Sequence, residues 1–440
     1  MAVGSPSGQQ IPVHSDGGSG HYGKALAIVT TLFFMWGFLT SLNDILVPHL
    51  KEIFDLNYTK AALVQFAFFF TYFVFALPSG KVVEWVGYKR TMVVGLFVMA
   101  GGAFLFVPAA SVPSFPLFLA ALVVLAAGVT MLQVAANPYV TVLGPARTAS
   151  SRLNLTQAFN SLGTTIAPKF GSVLILSGIA YTASQIQAMG PQAYKQIQAS
   201  SVKLPYIGIG IALVFLAVAI AILKLPRIQT TREFRPSGDP DKPLGSIWEH
   251  RHVWLGAIGI FTYVGAEVAI GSFLVNYFSQ PNTGAMSVKT AAGLVSFYWG
   301  GAMVGRFIGS AVLQRVKTGP MVGIVAIVAC LLVVTSMMST GYLAVWSILL
   351  VGLFNSIMFP SIFALGLVGM GPLTGKASGL MVMAVVGGAI IPELEAILAD
   401  HIGLHHAFVL PALCYIFVAY YGFRGSRPTG EQAALVAAEA

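Results

Sequence analysis

The feature that most constrains this chain is a row of twelve long apolar runs. They lie near residues 25–47, 60–82, 91–110, 115–143, 152–177, 205–225, 253–278, 290–313, 320–338, 342–368, 377–399 and 406–422. A helix of about 20 such residues crosses the hydrocarbon core of a bilayer. Inside lipid the backbone finds no water to bond with, so a run of this kind folds as a helix that satisfies its own hydrogen bonds. Composition agrees, with 56% hydrophobic and only 9% charged residues. The chain is therefore read as an all-α membrane protein of twelve transmembrane helices.

Six runs precede the stretch 226–250 and six follow it; this stretch is the most charged part of the chain and contains prolines. The expected organisation is a disordered cytoplasmic tail (1–23), an N-terminal six-helix half (24–225), a cytoplasmic linker (226–250), a C-terminal six-helix half (251–424) and a cytoplasmic tail (425–440). The first run is too long for a signal-peptide core, begins after a polar Gly/Ser-rich tail and is followed by no A-x-A-like site, so it is read as a retained span. Orientation follows from the basic residues in the loops. With both termini cytoplasmic, eighteen Lys and Arg fall in or beside inside segments, against five outside: Lys51, Lys60, Lys195, Lys203 and Lys289. This asymmetry accounts for the net charge of +9 without a nucleic-acid partner. The expected location is the plasma membrane, the bacterial inner membrane, as a multi-pass monomer in the lipid bilayer.

The halves repeat each other. Arg152, Gly163 and Pro168 match Lys376, Gly387 and Pro392 at an offset of 224, and Pro138 and Gly144 match Pro360 and Gly366 at 222. Two pseudo-symmetric halves with a site between them near the midplane resemble the major facilitator fold. The loop after the second run, Gly80-Lys-Val-Val-Glu84-Trp-Val-Gly87-Tyr-Lys89-Arg90, resembles that superfamily's cytoplasmic motif. It implies a latch in which the acid meets a helix N-terminus or an arginine and the glycines allow close helix approach. A weaker counterpart, Gly305-Arg306-Phe-Ile-Gly309 and on to Arg315, runs out of the eighth run into the loop after it, so Gly80, Glu84, Gly87, Lys89, Arg90 and Arg306 are the candidate gating residues.

Polar residues within spans are costly in lipid and face protein or a wet cavity. Thr40, Ser41, Asn43 and Asp44 lie on the first span, Gln133 and Asn137 on the fourth, and Asn154, Gln157, Asn160 and Thr164 on the fifth. Amides and a carboxylate supply both donors and acceptors, as a ring of sugar hydroxyls requires. Phe33, Trp36, Tyr263, Phe297, Tyr298 and Trp299 offer flat faces to sugar C–H groups. On the second half Glu267 and Asn355 are the matching polar candidates. Asn355 stands five residues before Pro360 as Gln133 stands five before Pro138, which has the two amides face each other across the repeat axis. Lys169, Glu393 and Glu395 fall towards the outer ends of their spans and are expected to snorkel to the interface.

Rival classes lack their motifs. Gly371-Pro-Leu-Thr-Gly375-Lys376-Ala377 has the wrong spacing for a phosphate-binding loop and ends in Ala. His-Glu-x-x-His and Gly-x-Ser-x-Gly are absent, and His49, His405 and His406 sit at span ends. Cys330 and Cys414 lie in apolar runs, which supports neither a disulfide framework nor a metal cluster. No enzymatic activity and no cofactor are expected.

Segments 42–48, 135–145, 152–161 and 263–266 are similar to the fucose permease family and its glucose/galactose transporter relatives, and the similarity runs through nearly all of 24–424. The resemblance implies a monosaccharide carrier in which Asp44 couples to protons and Gln157 and Asn160 contact sugar. Gln133 stands where the fucose permease carries a glutamate, and Glu267 where it carries an amide, a pattern more like the glucose/galactose branch. The expected substrate site is Asn43, Gln133, Asn137, Gln157, Asn160, Glu267, Asn355, Trp36 and Tyr263, with Asp44 and Glu267 for proton coupling. Sodium coupling, uncoupled transport and a non-transporting sugar receptor are the alternatives.

One prediction follows from the sequence. Asp44→Asn is expected to abolish pH-driven accumulation in proteoliposomes yet retain exchange, since an amide imitates the hydrogen bonds of a protonated acid. Unaltered proton-driven uptake would remove Asp44 from the mechanism.

Overall fold

The structure is a computed structural model; it describes residues 13–14, 20–53, 58–112, 114–171, 203–228 and 245–428, and scattered positions between 189 and 200. The side chains described are chiefly those of 22–39, 41, 63–112, 114–167, 203–226 and 245–428. Asn43, Asp44 and Lys169 lie outside them.

Each of the twelve apolar runs is helical where it is described. The first half contains α1 (Gly20–Ile53), α2 (Tyr58–Val86), α3 (Tyr88–Ser111), α4 (Phe115–Val142), α5 (Ala149–Gly171) and α6 (Lys203–Ile222). The second begins with α7 (Arg251–Phe278), α8 (Val288–Val312) and α9 (Thr318–Met338). Its last three spans are interrupted: α10 (Gly341–Asn355) with α11 (Met358–Gly366), α12 (Thr374–Met383) with α13 (Gly387–Ile402), and α14 (Leu404–Ala407) with α15 (Val409–Tyr420). The break before α11 has a local cause: Pro360 cannot donate to the helix ladder and sits in the first turn of the restarted helix. The strand pairing among the described residues is an antiparallel bridge of Val13–His14 with Arg227–Ile228, which ties the N-terminal segment to the start of the linker. Helix α1 also begins at Gly20, ahead of the expected start of the first half.

Among the described residues, ten spans are long and apolar enough to cross a membrane by length and composition alone. The other two, α5 (described to Gly171) and α8, pack against each other across the two halves. The other main contacts between halves run from α12 to α2 and α4, and from α11 to α5. Outward faces are apolar instead of charged. On α6, Ile211, Phe215, Val218 and Ile222 recur at helical spacing and are exposed, Phe215 by 75%. A stripe of that kind requires lipid around it.

Among the crossings that seat a glycine against a carbonyl, one is matched between the halves. A Cβ on Gly163 of α5 would fall on the Phe34 carbonyl of α1, and one on Gly387 at the start of α13 would fall on the Phe261 carbonyl of α7. Gly163 and Gly387 are repeat partners, so the repeat in sequence is one physical contact made twice. Gly163→Val and Gly387→Val should each lower stability by at least about 1–3 kcal/mol, the cost of overpacking a filled contact. Thermal unfolding of the detergent-purified protein checks this, with Gly101→Ala, whose Cβ meets nothing, as the control.

Candidate functional site

The polar residues of α4 and α5 are brought together. Asn137 is fully buried and Gln157 nearly so, and the Gln157 Nε2 donates to Asn137 Oδ1 at 3.4 Å. Asn137 Nδ2 is buried without a partner among the described residues, so the pair keeps an unused donor. Asn160 Nδ2 donates to the Phe33 carbonyl on α1 at 2.9 Å, which leaves its carbonyl oxygen for other work. Phe33 packs edge-on against Trp36, ring centroids 5.3 Å apart, and both are buried. Asn154 is turned elsewhere, to Ser150 and across the halves to the Ser361 hydroxyl at 3.3 Å.

Gln133 and Asn355 do not hydrogen-bond each other across the axis. Gln133 Nε2 donates to the Tyr72 hydroxyl on α2 at 2.8 Å, and Asn355 Nδ2 to the Tyr298 hydroxyl on α8 at 2.9 Å. Each half thus ties the amide of its fourth span to a tyrosine of its second. Tyr298 in turn donates to the Glu267 main-chain carbonyl at 3.2 Å. Phe297 and Trp299, its neighbours, are exposed.

Sequence reading grouped Arg306 with the loop-side segments; the structure places it within α8, with three sets of partners. Its Nε donates to the Ser356 carbonyl at 3.2 Å, its Nη1 to the Ser161 hydroxyl on α5, and its Nη2 lies 3.9 Å from Glu267 Oε1 on α7. Both charged side chains are largely buried, 17% exposed for Arg306 and 12% for Glu267. Tyr263 lies one turn before Glu267 on the same face and is fully buried. Ser161 donates its own proton to the Gln157 carbonyl at 3.0 Å, so the arginine reaches the amide helix of the other half. Reach explains the mismatch with the loop reading: a long guanidinium side chain travels well into a bundle from near a helix end.

A second group lies at the end of the bundle where α1 begins and α15 ends. Gly80 of α2 packs on the main chain of Gly375 and Gly379 of α12. Beside it Glu84 Oε1 lies 3.8 Å from Lys376 Nζ, in the first turn of α12, where carboxylates are favoured. Gly87 caps α3 at φ 85°, a conformation that a side chain resists. Lys89 serves its own half, donating to the Ala221 carbonyl at the end of α6 at 2.8 Å, and Arg90 is exposed. On the same end Ser151 donates to the Ser310 carbonyl at 2.6 Å and Ser378 to the Val134 carbonyl at 2.8 Å, both across the halves.

The expected snorkelling fails for Glu395. Its residue is fully buried and neither carboxyl oxygen has a hydrogen-bond partner among the described residues, whereas Glu393 is exposed. Its burial follows from rotation about the helix axis: two residues from Glu393, it lies on the opposite side, towards α7 and α15.

Twelve helices in two matched halves, joined at one end and with amides, a carboxylate and a guanidinium meeting between them, are the architecture of a secondary carrier. The chain belongs to the Major Facilitator Superfamily, whose family pattern matches residues 28–392. It is 52% identical to a glucose/galactose transporter of Brucella abortus over 428 residues, 97% of this chain and 100% of that one. It is 34% identical to the L-fucose-proton symporter of Escherichia coli, covering 94% of this chain and 96% of the relative. A crystal structure of the transporter FucP in the outward conformation superimposes with a TM-score of 0.83 at 32% identity, over 91% of this chain and 98% of that one.

The contact of Glu84 with Lys376 generates a prediction. If this contact between the halves acts as a latch, Glu84→Gln and Lys376→Gln should slow turnover but leave ligand affinity within about tenfold, since a latch biases a conformational equilibrium. Binding and exchange rates measured on the same preparations decide it; lost affinity at normal turnover would contradict the role.

Proposed function

We propose that this chain imports a neutral hexose, glucose or galactose ahead of fucose, by alternating access coupled to protons. The observation that carries the reading is full-length similarity to a glucose/galactose transporter at 52% identity. The site chemistry supports it: Gln133, Asn137, Gln157, Asn160 and Glu267 pair donors with acceptors, and Trp36 and Tyr263 bring aromatic faces. In this reading those residues, with Asn43 and Asn355, contact the sugar, and Asp44 and Glu267 carry the coupling charge. The Escherichia coli relative is a proton symporter by name, which favours protons over sodium.

Both termini are assigned to the cytoplasm of a bacterial inner membrane, as the loop charge bias supports. The contacts at Gly80, Ser151 and Ser378 then close the cytoplasmic side, and the structure corresponds to an outward-facing state. Import follows when the halves (24–225 and 251–424, linked by 226–250) rock about the bound sugar. The carrier is taken as a monomer. Gly80, Glu84, Gly87, Lys89 and Arg90 act at the inner gate in this scheme.

Counterflow in proteoliposomes over a panel of hexoses, 6-deoxyhexoses, amino acids and organic anions tests the reading. D-Glucose and D-galactose should exchange faster than L-fucose. Exchange of amino acids or anions with no monosaccharide would overturn it, and sugar binding without accumulation would mark a receptor.

A further inference from the structure

We infer that Arg306 is a positioning residue through which occupancy of Glu267 by sugar releases the contact between the halves. The inference rests on the transport reading above. A guanidinium within a membrane span requires a counter-charge, and among the described residues the acid within ion-pair distance is Glu267, at 3.9 Å. That pair is incomplete. Glu267 Oε1 is buried and takes no hydrogen bond, so the attraction is made without a direct N–H···O contact. Oε1 is buried while the side chain as a whole is 12% exposed, so part of Glu267 beyond Oε1 remains accessible.

The other two bonds of Arg306 decide what the pair controls. Ser356 lies in the same half, but Ser161 lies on α5 of the opposite half. The Ser161 hydroxyl is in turn held by the Gln157 carbonyl, on the turn that carries the proposed sugar amides Gln157 and Asn160. One guanidinium is therefore shared between a carboxylate in the C-terminal half and a hydroxyl in the N-terminal half. A sugar hydroxyl that donates to Glu267 draws charge away from the ion pair and swings the carboxyl towards the ligand. The guanidinium realigns, and the bond to Ser161 is lost. Among the described bonds between the halves, this one and that of Thr165 Oγ1 to Met303 Sδ at 3.6 Å lie beside the proposed site, while Asn154–Ser361, Ser151–Ser310 and Ser378–Val134 lie nearer the inner end. The α5–α8 contact then opens from the site downward. Ligand binding shifts the equilibrium only because it acts on a contact that differs between the two states.

The experiment uses full-length protein carrying Ser378→Cys, a fully buried position that meets Val134 across the halves. The rate of maleimide labelling is measured with and without saturating D-glucose, and the chain without this change gives the background from Cys330 and Cys414. D-Glucose should raise labelling by about threefold or more, as expected for a ligand that shifts a two-state equilibrium. Adding Ser161→Ala should raise the sugar-free rate and shrink the response to D-glucose; Ser161→Thr, which keeps the hydroxyl, should restore both. Glu267→Gln should behave as Ser161→Ala does, and the Ser161 pair of variants keeps the test decisive if that protein does not fold. Labelling that Ser161→Ala leaves unchanged, in a carrier whose parent exchanges D-glucose, would overturn the role of Arg306. A parent that exchanges no D-glucose would instead bring down the transport reading and this inference with it.

Discussion

The polar centre of the bundle depends on two glycines seated against carbonyls, Gly163 on Phe34 and Gly387 on Phe261. In lipid, helices gain nothing from hiding apolar surface from each other, so packing at small residues is what selects a crossing. The first seat also fixes the site. Asn160 lies three residues before Gly163, and its bond to the Phe33 carbonyl needs α1 and α5 at this separation. Gly37 completes the arrangement from the opposite side, its Cα against the Asn160 main chain. A larger residue at either glycine would move the amide before it moved anything else.

On this symmetric frame the charges are unequal. Gln133 with Tyr72 and Asn355 with Tyr298 repeat a single design, as the glycine seats do. The repeat partners Arg152 and Lys376 do not. Arg152 folds back on its own half and donates to the Thr141 and Pro145 carbonyls at 2.8 Å, capping the end of α4. Lys376 faces Glu84 across the halves. The centre differs as well: amides on the N-terminal side meet an acid and a guanidinium on the other. A frame built by repetition can move as two rigid bodies, and an unequal lining gives a ligand something to distinguish between them.

Apolar length made all twelve spans legible, and matched glycines and prolines made the halves so, because both are local properties that survive in a single string. Partners were harder. The repeat offset aligns Gln133 with Asn355 but does not reveal that its hydrogen-bond partner is Tyr72, since helical spacing tells which residues share a face and not which neighbour that face meets. Arg306 was counted with loop charges because its position near a helix end conceals how far its side chain reaches inward. Glu395 was assigned to the interface by its place along the span, when its angle around the axis is what buries it. Lys89 sits within the latch motif, yet it caps α6 of its own half.

The weak apolarity of α5 and α8 has a consequence for how the protein is made. A helix enters the bilayer by partitioning from a translocation channel, and Arg152, Asn154, Gln157 and Asn160, like Arg306 on α8, oppose that step. Among the described residues, neither helix contains a stretch as apolar as those of its ten companions. Entry beside a more apolar neighbour, α6 for the one and α7 or α9 for the other, lowers that cost. A chain that let both slip would still have its ends on the correct side, because two spans would be missing. Everything between them, including α6, α7 and the linker, would be inserted upside down. Polar side chains on these two helices thus weigh on biogenesis as well as on the folded bundle.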